Sequence, residues 1–319
     1  MANIGYIQVN RHCNNACHFC SNPSNGTNIS YERGIELLDS FKQKEYSWVI
    51  FTGWEPTLSP DLPKWIEYAK KIGLWNRMIS NGMMCSDLRY VEKLAKAGLE
   101  LVHFSVYSCY EPIHDFLTDT PGSWKRLMKS ITNSLNLGIR VQINTVINHY
   151  NQEHLDKTVI FLTKYFPPIK HFVWNNLDPE MMRKTDTAIS TLPNFDLFQP
   201  SLKRAMDYLS STNRTFRAEK MPLCYIRGYE FASTETRKIV KNEERIIHFL
   251  DFREEIHETD FYHEKLAACS WCDLNTICSW IYEYNKYYNY VNVYPQKLLS
   301  GEKESIIASI KNENFSKKI

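Results

Sequence analysis

The 319-residue sequence has no uninterrupted apolar run of about 18 residues, the length that a membrane-spanning helix needs. Nothing in it therefore reads as a span, and no membrane partner is expected. Its first residues, MANIGYIQVNRHC, lack a basic segment followed by an apolar one, so no secretory signal is expected and a cytoplasmic location is. Blocks of Lys or Arg are missing too. The net charge is +2, and no nucleic-acid partner is expected. The mildly basic stretch SIIASIKNENFSKKI reads as a solvated end. Internal repeats, low-complexity tracts and long Gly/Ser linkers are absent. An aromatic content of 13% argues against disorder.

Nine cysteines remain to be placed. In a reducing compartment they are not expected to pair as disulfides. Cys13, Cys17 and Cys20 stand near the start, Cys224, Cys269, Cys272 and Cys278 stand late, and Cys85 and Cys109 lie between. Two groups point to two inorganic sites.

Strand-like runs alternate with helical periodicity. Strands are expected at 4–10, 47–53, 74–82, 99–108, 139–147 and 169–176, and helices at 30–44, 59–73, 86–98, 122–138 and 151–166. Six βα-type units are too few for an eight-stranded barrel, so a partial, open barrel with a parallel sheet is expected. Residues 1–189 are assigned to it. Residues 190–319 read as a smaller appendage, with one helix, strand-like pieces RTFRAE, IRGYEFAS and RIIHFLDF, and an aromatic helix SWIYEYNKYYNYV. The chemistry-bearing segments fall after the strands, where parallel sheets gather function.

Cys13, Cys17 and Cys20 form C-x3-C-x2-C. Thiolates are soft ligands that suit zinc or iron–sulfur clusters, and a structural zinc site wants a fourth ligand. Three cysteines are better explained by a [4Fe–4S] cluster with one open iron. With Phe19 just before the last cysteine, the motif resembles that of the radical S-adenosylmethionine (SAM) superfamily. GWEP (Gly53–Pro56) resembles the family's GGEP segment, with Trp54 in place of the second glycine, and SNG (Ser80–Gly82) resembles the end of its third strand. The resemblance covers about residues 4–176.

It implies that SAM chelates the open iron, is cleaved to a 5'-deoxyadenosyl radical, and that this radical takes a hydrogen atom from the substrate. It implies a SAM site involving Phe19, Gly53, Glu55 and Asn81. Ser105 and Asn144 are candidates for the SAM carboxylate and ribose, or satisfied core polars. Trp174 reads either as an adenine neighbour or as core.

CSWCDLNTIC (Cys269, Cys272, Cys278) resembles the auxiliary-cluster region of the SPASM and twitch subfamilies. Only four late cysteines are present, so one auxiliary [4Fe–4S] cluster is implied. Cys224 is its fourth ligand or a hydrogen-atom donor, and a structural zinc site is the alternative for the group. Cys109 is a candidate hydrogen-atom donor at the rim, or a small buried side chain. Glu111, His114 and Asp115 read as substrate or proton-handling groups, or as caps. Cys85 reads as structural.

The expected activity is modification of a ribosomally made peptide by crosslinking, epimerisation or oxidation. An oxidoreductase or epimerase of a small-molecule antibiotic precursor is the alternative, and a zinc-stapled binding protein comes from another class. An external electron donor such as flavodoxin or ferredoxin is implied. The sequence shows no room for a fused leader-peptide-binding domain, so such recognition is expected on a separate protein.

Overall fold

The computed structural model describes residues 4–20, 26–177, 190–249, 254–261, 263, 265–280, 286–288 and 291–312. Nine strands form one sheet: β1 (Ile4–Asn10), β2 (Trp48–Gly53), β3 (Trp75–Ser80), β4 (Leu101–Ser105), β5 (Arg140–Ile147), β6 (His171–Asn176), β7 (Thr215–Glu219), β8 (Arg245–His248) and β9 (Glu255–Glu258). Their spatial order is β7-β6-β5-β4-β3-β2-β1-β8-β9. Every neighbouring pair is parallel except β8–β9. The six expected strands are present, and the fold is α/β with a mostly parallel sheet. Two later pieces, RTFRAE and the start of RIIHFLDF, add parallel strands at its two ends.

Nine helices lie among the described residues: α1 (Tyr31–Gln43), α2 (Leu62–Lys71), α3 (Leu88–Ala97), α4 (Glu111–Thr118), α5 (Ser123–Asn136), α6 (Leu155–Tyr165), α7 (Phe195–Ser211), α8 (Thr234–Lys241) and α9 (Glu302–Asn312). None is long and apolar enough to cross a membrane. In α1 the Ser30 hydroxyl accepts from the Arg33 N–H at 3.1 Å, closing the first turn. The helix buries Gly34, Leu37, Leu38 and Phe41. A Cβ on Gly34 would stand 2.2 Å from Nε1 of the Trp65 indole, so this glycine lets α1 and α2 close on each other.

Two expectations change. Ile226–Ser233 is not a strand but a run of turns containing a 3-10 segment, Glu230–Ala232. Residues 302–312 form α9 with Ile310 buried, where a solvated end was expected. The short α4 adds a helix where none was expected. Cys85, expected to be structural, is buried in the core in a 3-10 turn ahead of α3. The aromatic helix expected at 279–291 falls largely outside the described residues. Within it, Tyr288 is buried, and its hydroxyl donates to the Leu177 carbonyl at 2.6 Å.

Alternation divides the strands between two environments. Val102, Phe104, Val141, Ile143, Phe172 and Trp174 face the helices and belong to the main core. The opposite phase, including Arg77, His103, Asn144 and Asn175, lines a cavity of about 380 Å³ inside the curved sheet.

Candidate functional site

The loop after β1 carries Cys13, Cys17 and Cys20, all partly buried. Its shape is held from outside by the C-terminus of α4: Ala16 N–H donates to the Thr118 carbonyl at 3.0 Å, and His18 N–H to the Leu117 carbonyl at 3.1 Å. Phe19 is buried and meets the Tyr107 ring edge-on at 4.8 Å. The Tyr107 phenol is pushed well up by burial, then by the charges of Cys17, Cys20 and Cys13.

Cys13 receives two hydrogen bonds at 3.3 Å, from the Asn15 N–H and the Asn81 side-chain amide. Burial, then the Glu55 charge, pushes its thiol up to about 11. Buried thiols of this kind need cationic iron to hold them as thiolates, and N–H donors aimed at sulfur are what a cluster's ligands carry. The donor set fits a [4Fe–4S] cluster.

Glu55 was expected in the SAM site, and its carboxylate ties together the strand ends beside the cysteine loop. It is fully buried, with Oε1 accepting from Thr57 N–H (3.1 Å), Thr57 Oγ1 (2.5 Å) and Ser80 Oγ (2.8 Å), and Oε2 from Asn81 N–H (2.7 Å). It welds the ends of β2 and β3 and sets Asn81 against Cys13. Thr57 and Ser80 were not singled out in the sequence. Their signal was present, hydroxyls two residues from Glu55 and one before Asn81, but its meaning is three-dimensional. Gly53 has φ +124°, and a Cβ there would lie 2.5 Å from the Asn10 carbonyl oxygen, so only glycine lets β2 end against β1. Trp54 N–H donates to that same carbonyl at 3.3 Å.

Ser105 and Asn144 are brought side by side as neighbours in register on β4 and β5. Ser105 hydrogen-bonds the Tyr107 side chain, and the Asn144 carbonyl oxygen accepts from the Asn175 amide at 2.6 Å. Asn144 lines the cavity with Phe19. Trp174 faces the helices and packs on Phe216 at 6.0 Å, so the core reading holds and the adenine reading falls away.

Cys109 is set apart. Its N–H donates to Thr158 Oγ1 at 3.2 Å, and the thiol, raised by burial, also bonds Thr158 on α6. It does not line the cavity, so the expected hydrogen-atom donor finds no support in this placement. The capping reading of Asp115 is the one observed: it accepts from Gly122 N–H (2.6 Å), Ser123 Oγ (2.8 Å) and Trp124 N–H (2.8 Å) at the start of α5. His114 is buried and accepts from Tyr107 N–H at 3.3 Å, and Glu111 pairs with Lys125 on the surface.

Cys224, Cys269, Cys272 and Cys278 line one small cavity, with Leu223, Leu274, Trp280 and Pro295 around them. Leu223 N–H donates to Cys278 Sγ at 3.4 Å and Gln296 N–H to Cys272 Sγ at 3.3 Å. Burial pushes Cys224 up to about 12 and raises Cys269 and Cys278. Among the described residues, no three His, Cys, Asp or Glu side chains converge on one ion-sized point.

Fold and site together define an α/β barrel protein with a thiol donor set at the carboxyl ends of its strands. Residues 7–162, just under half of the chain, match the family model of the Radical SAM superfamily, so this segment is a Radical SAM domain. Such a domain implies SAM and a [4Fe–4S] cluster.

Curated relatives include the AdoMet-dependent heme synthase of Oleidesulfovibrio alaskensis, 29% identical over 45% of this chain and 38% of that protein. Another is the GTP 3',8-cyclase of Clostridium botulinum, 30% identical over 53% of this chain and 56% of that protein. The chain thus spans about half the length of these relatives. In fold it is similar to native anSMEcpe with bound AdoMet and Kp18Cys peptide (TM-score 0.65, 14% identity, 97% of this chain and 99% of that chain). It is also similar to Streptococcus suis SuiB bound to S-adenosylmethionine (TM-score 0.64, 15% identity, 86% of this chain and 72% of that chain).

Proposed function

We propose that the chain is a radical SAM enzyme that modifies a peptide, with residues 1–189 as the SAM-binding part and 190–319 as the part that holds one auxiliary [4Fe–4S] cluster. One observation carries the reading. Four thiols from the later region surround a single cavity, giving the chain a second soft-donor site beyond the first loop. The fold likeness to anSMEcpe, in a structure with a bound peptide, runs over nearly the whole of both chains and supports it further.

When bound, the cluster and SAM supply one-electron cleavage of SAM and hydrogen-atom abstraction. The chain's own residues position them. Cys13, Cys17 and Cys20 hold the first cluster, and Asn15 and Asn81 direct N–H groups at Cys13. Ser105, Asn144 and Phe19 line the approach to SAM. Cys224, Cys269, Cys272 and Cys278 hold the second cluster. Four thiols about a shared cavity are the donor set that a [4Fe–4S] cluster takes, and a four-cysteine zinc site is the alternative. Electrons come from a flavodoxin or ferredoxin in the cytoplasm, and a separate protein presents the peptide's leader. A small-molecule substrate is the second reading, favoured by the 30% identity to GTP 3',8-cyclase.

Iron counting tests the cofactor part. After anaerobic reconstitution we expect about eight irons per chain, two such clusters, and about four in a variant with all four late cysteines changed to Ala. About four irons plus bound zinc in the parent protein would return the late cysteines to a structural staple. For the substrate, the protein is incubated with SAM, reductant and short peptides encoded beside it. A mass change coupled to 5'-deoxyadenosine supports the peptide reading, and coupling only to small molecules sinks it.

A further inference from the structure

We propose that the barrel interior binds a carboxylate of the substrate through Arg77, with the His103 imidazole on the adjacent strand as its polar neighbour. The inference rests on the reading of the barrel as the chamber of a peptide-modifying enzyme and deepens it. The substrate would present an acidic side chain or a carboxy terminus to this wall.

Arg77 lies on β3 and lines the 380 Å³ cavity. Among the described residues no carboxylate pairs with it, and its Nε has no hydrogen-bond partner. Its guanidinium rests over the Trp48 ring at 5.3 Å, and Arg140 stands over the same ring at 6.0 Å. Two guanidiniums thus share one aromatic ring, which supplies cation–π attraction but no counter-charge. The carboxylate whose charge Arg77 feels is that of Glu219 across the cavity, and Glu219 is engaged by the Thr234 hydroxyl at 3.2 Å.

The surrounding field is positive. Six cationic side chains and three carboxylates line the cavity. Burial, then Arg77 and His171, holds His103 well below the ordinary histidine range. Burial, then Arg217, Arg77 and Arg237, brings His171 down to about 3. Both rings are therefore neutral at physiological pH and available as hydrogen-bonding groups rather than as further cations.

One more group beside Arg77 is unmet among the described residues: Nε2 of His103, on the neighbouring strand. Buried polar groups left without partners are costly, and the adjacent placement of Arg77 on β3 and His103 on β4 points to a ligand that meets them. A single unpaired guanidinium, with Glu219 sharing the cavity, suits a monoanion held by a planar fork. A phosphate dianion would face more repulsion from Glu219 for the same donors.

The test uses the full-length, anaerobically reconstituted protein in equilibrium dialysis with N-acetylglutamate, N-acetylglutamine and inorganic phosphate. The acid is expected to bind more tightly than its neutral amide and than phosphate. R77Q is expected to weaken acid binding about tenfold or more, the loss of one charge-assisted bond, with iron content unchanged as the check on folding. R77K keeps the charge but loses the fork, so an intermediate loss is expected from it.

Equal binding of acid and amide, binding of neither, tighter binding of phosphate, or parent-like acid binding by both Arg77 variants overturns the proposal. None of these readouts requires turnover. Acid binding through Arg77 without any peptide modification sinks the peptide reading and leaves the site. Peptide modification without a preference for the acid does the reverse.

Discussion

At Glu55 one carboxylate, shielded from solvent, gathers four hydrogen bonds from Thr57, Ser80 and Asn81. Removing it leaves four donors unmet at once. E55A is expected to cost about 3 kcal/mol or more of stability, read by urea unfolding, and to lower iron retention, because Asn81 is no longer held against Cys13. The motif around Glu55 was legible in the sequence, since residue types at a strand end survive as a string. Its task was not, because Thr57 is a chain neighbour but Ser80 and Asn81 come from the end of β3. His103 and Arg77 were invisible as a pair for a related reason: an unmet hydrogen bond can be seen only when the surroundings are known.

His171 carries a second prediction at this scale. Its folded value of about 3 lies below the ordinary 6.5. Between those limits the unfolded chain takes up a proton that the folded chain refuses, so stability falls as pH falls. The slope is about 1.4 kcal/mol per pH unit, and the contribution vanishes above the ordinary value. Urea titrations at stepped pH check this, and H171Q should remove one proton's worth of the slope.

Among the elements, α4 decides the shape of the cysteine loop. Its last carbonyls accept from Ala16 and His18, and Asp115 within it caps α5. Burial alone would raise the Asp115 carboxyl, but the hydrogen bonds from Trp124, Ser123 and Gly122 prevail and hold it below its usual value. D115A is expected to cost about 2 kcal/mol and to loosen the loop from behind, giving fewer irons per chain after reconstitution with the three cysteines intact. The sequence hid α4 because it is two turns long with Pro112 in its first turn. Such a segment shows too little periodicity to be told from a loop. The longer α1, α3 and α5 were legible because their apolar faces repeat over nearly three turns or more, and Ser30, Asp87 and Gly98 mark ends of the first two.

For the whole molecule, the sheet ignores the change of pattern near residue 190. β7 pairs with β6, and β8 pairs with β1 at the other end of the parallel run. Trp174 is buried against Phe216. A fragment ending at residue 189 would expose both flanks and part of the core. It is expected to lack a cooperative thermal transition by circular dichroism, and a sharp transition near that of the full chain would show that the first part folds alone. The six βα units were readable because each is local. The placement of β7 and β8 was not, since parallel pairing joins residues far apart in the chain and leaves no mark in either short segment.

Among the described residues the sheet ends at β9, whose outer row of peptide groups has no neighbour strand. Its four residues are Glu255, Ile256, His257 and Glu258. His257 bonds Glu255 and Glu244 at 2.5 and 2.6 Å, and these contacts hold its imidazole above the usual range. An open strand edge is a template for a second molecule to zip onto, and a run of charges is what keeps it from doing so. Neutralising Glu255 and Glu258 together would turn that margin sticky, and the first symptom would be turbidity in concentrated stocks rather than any change in chemistry.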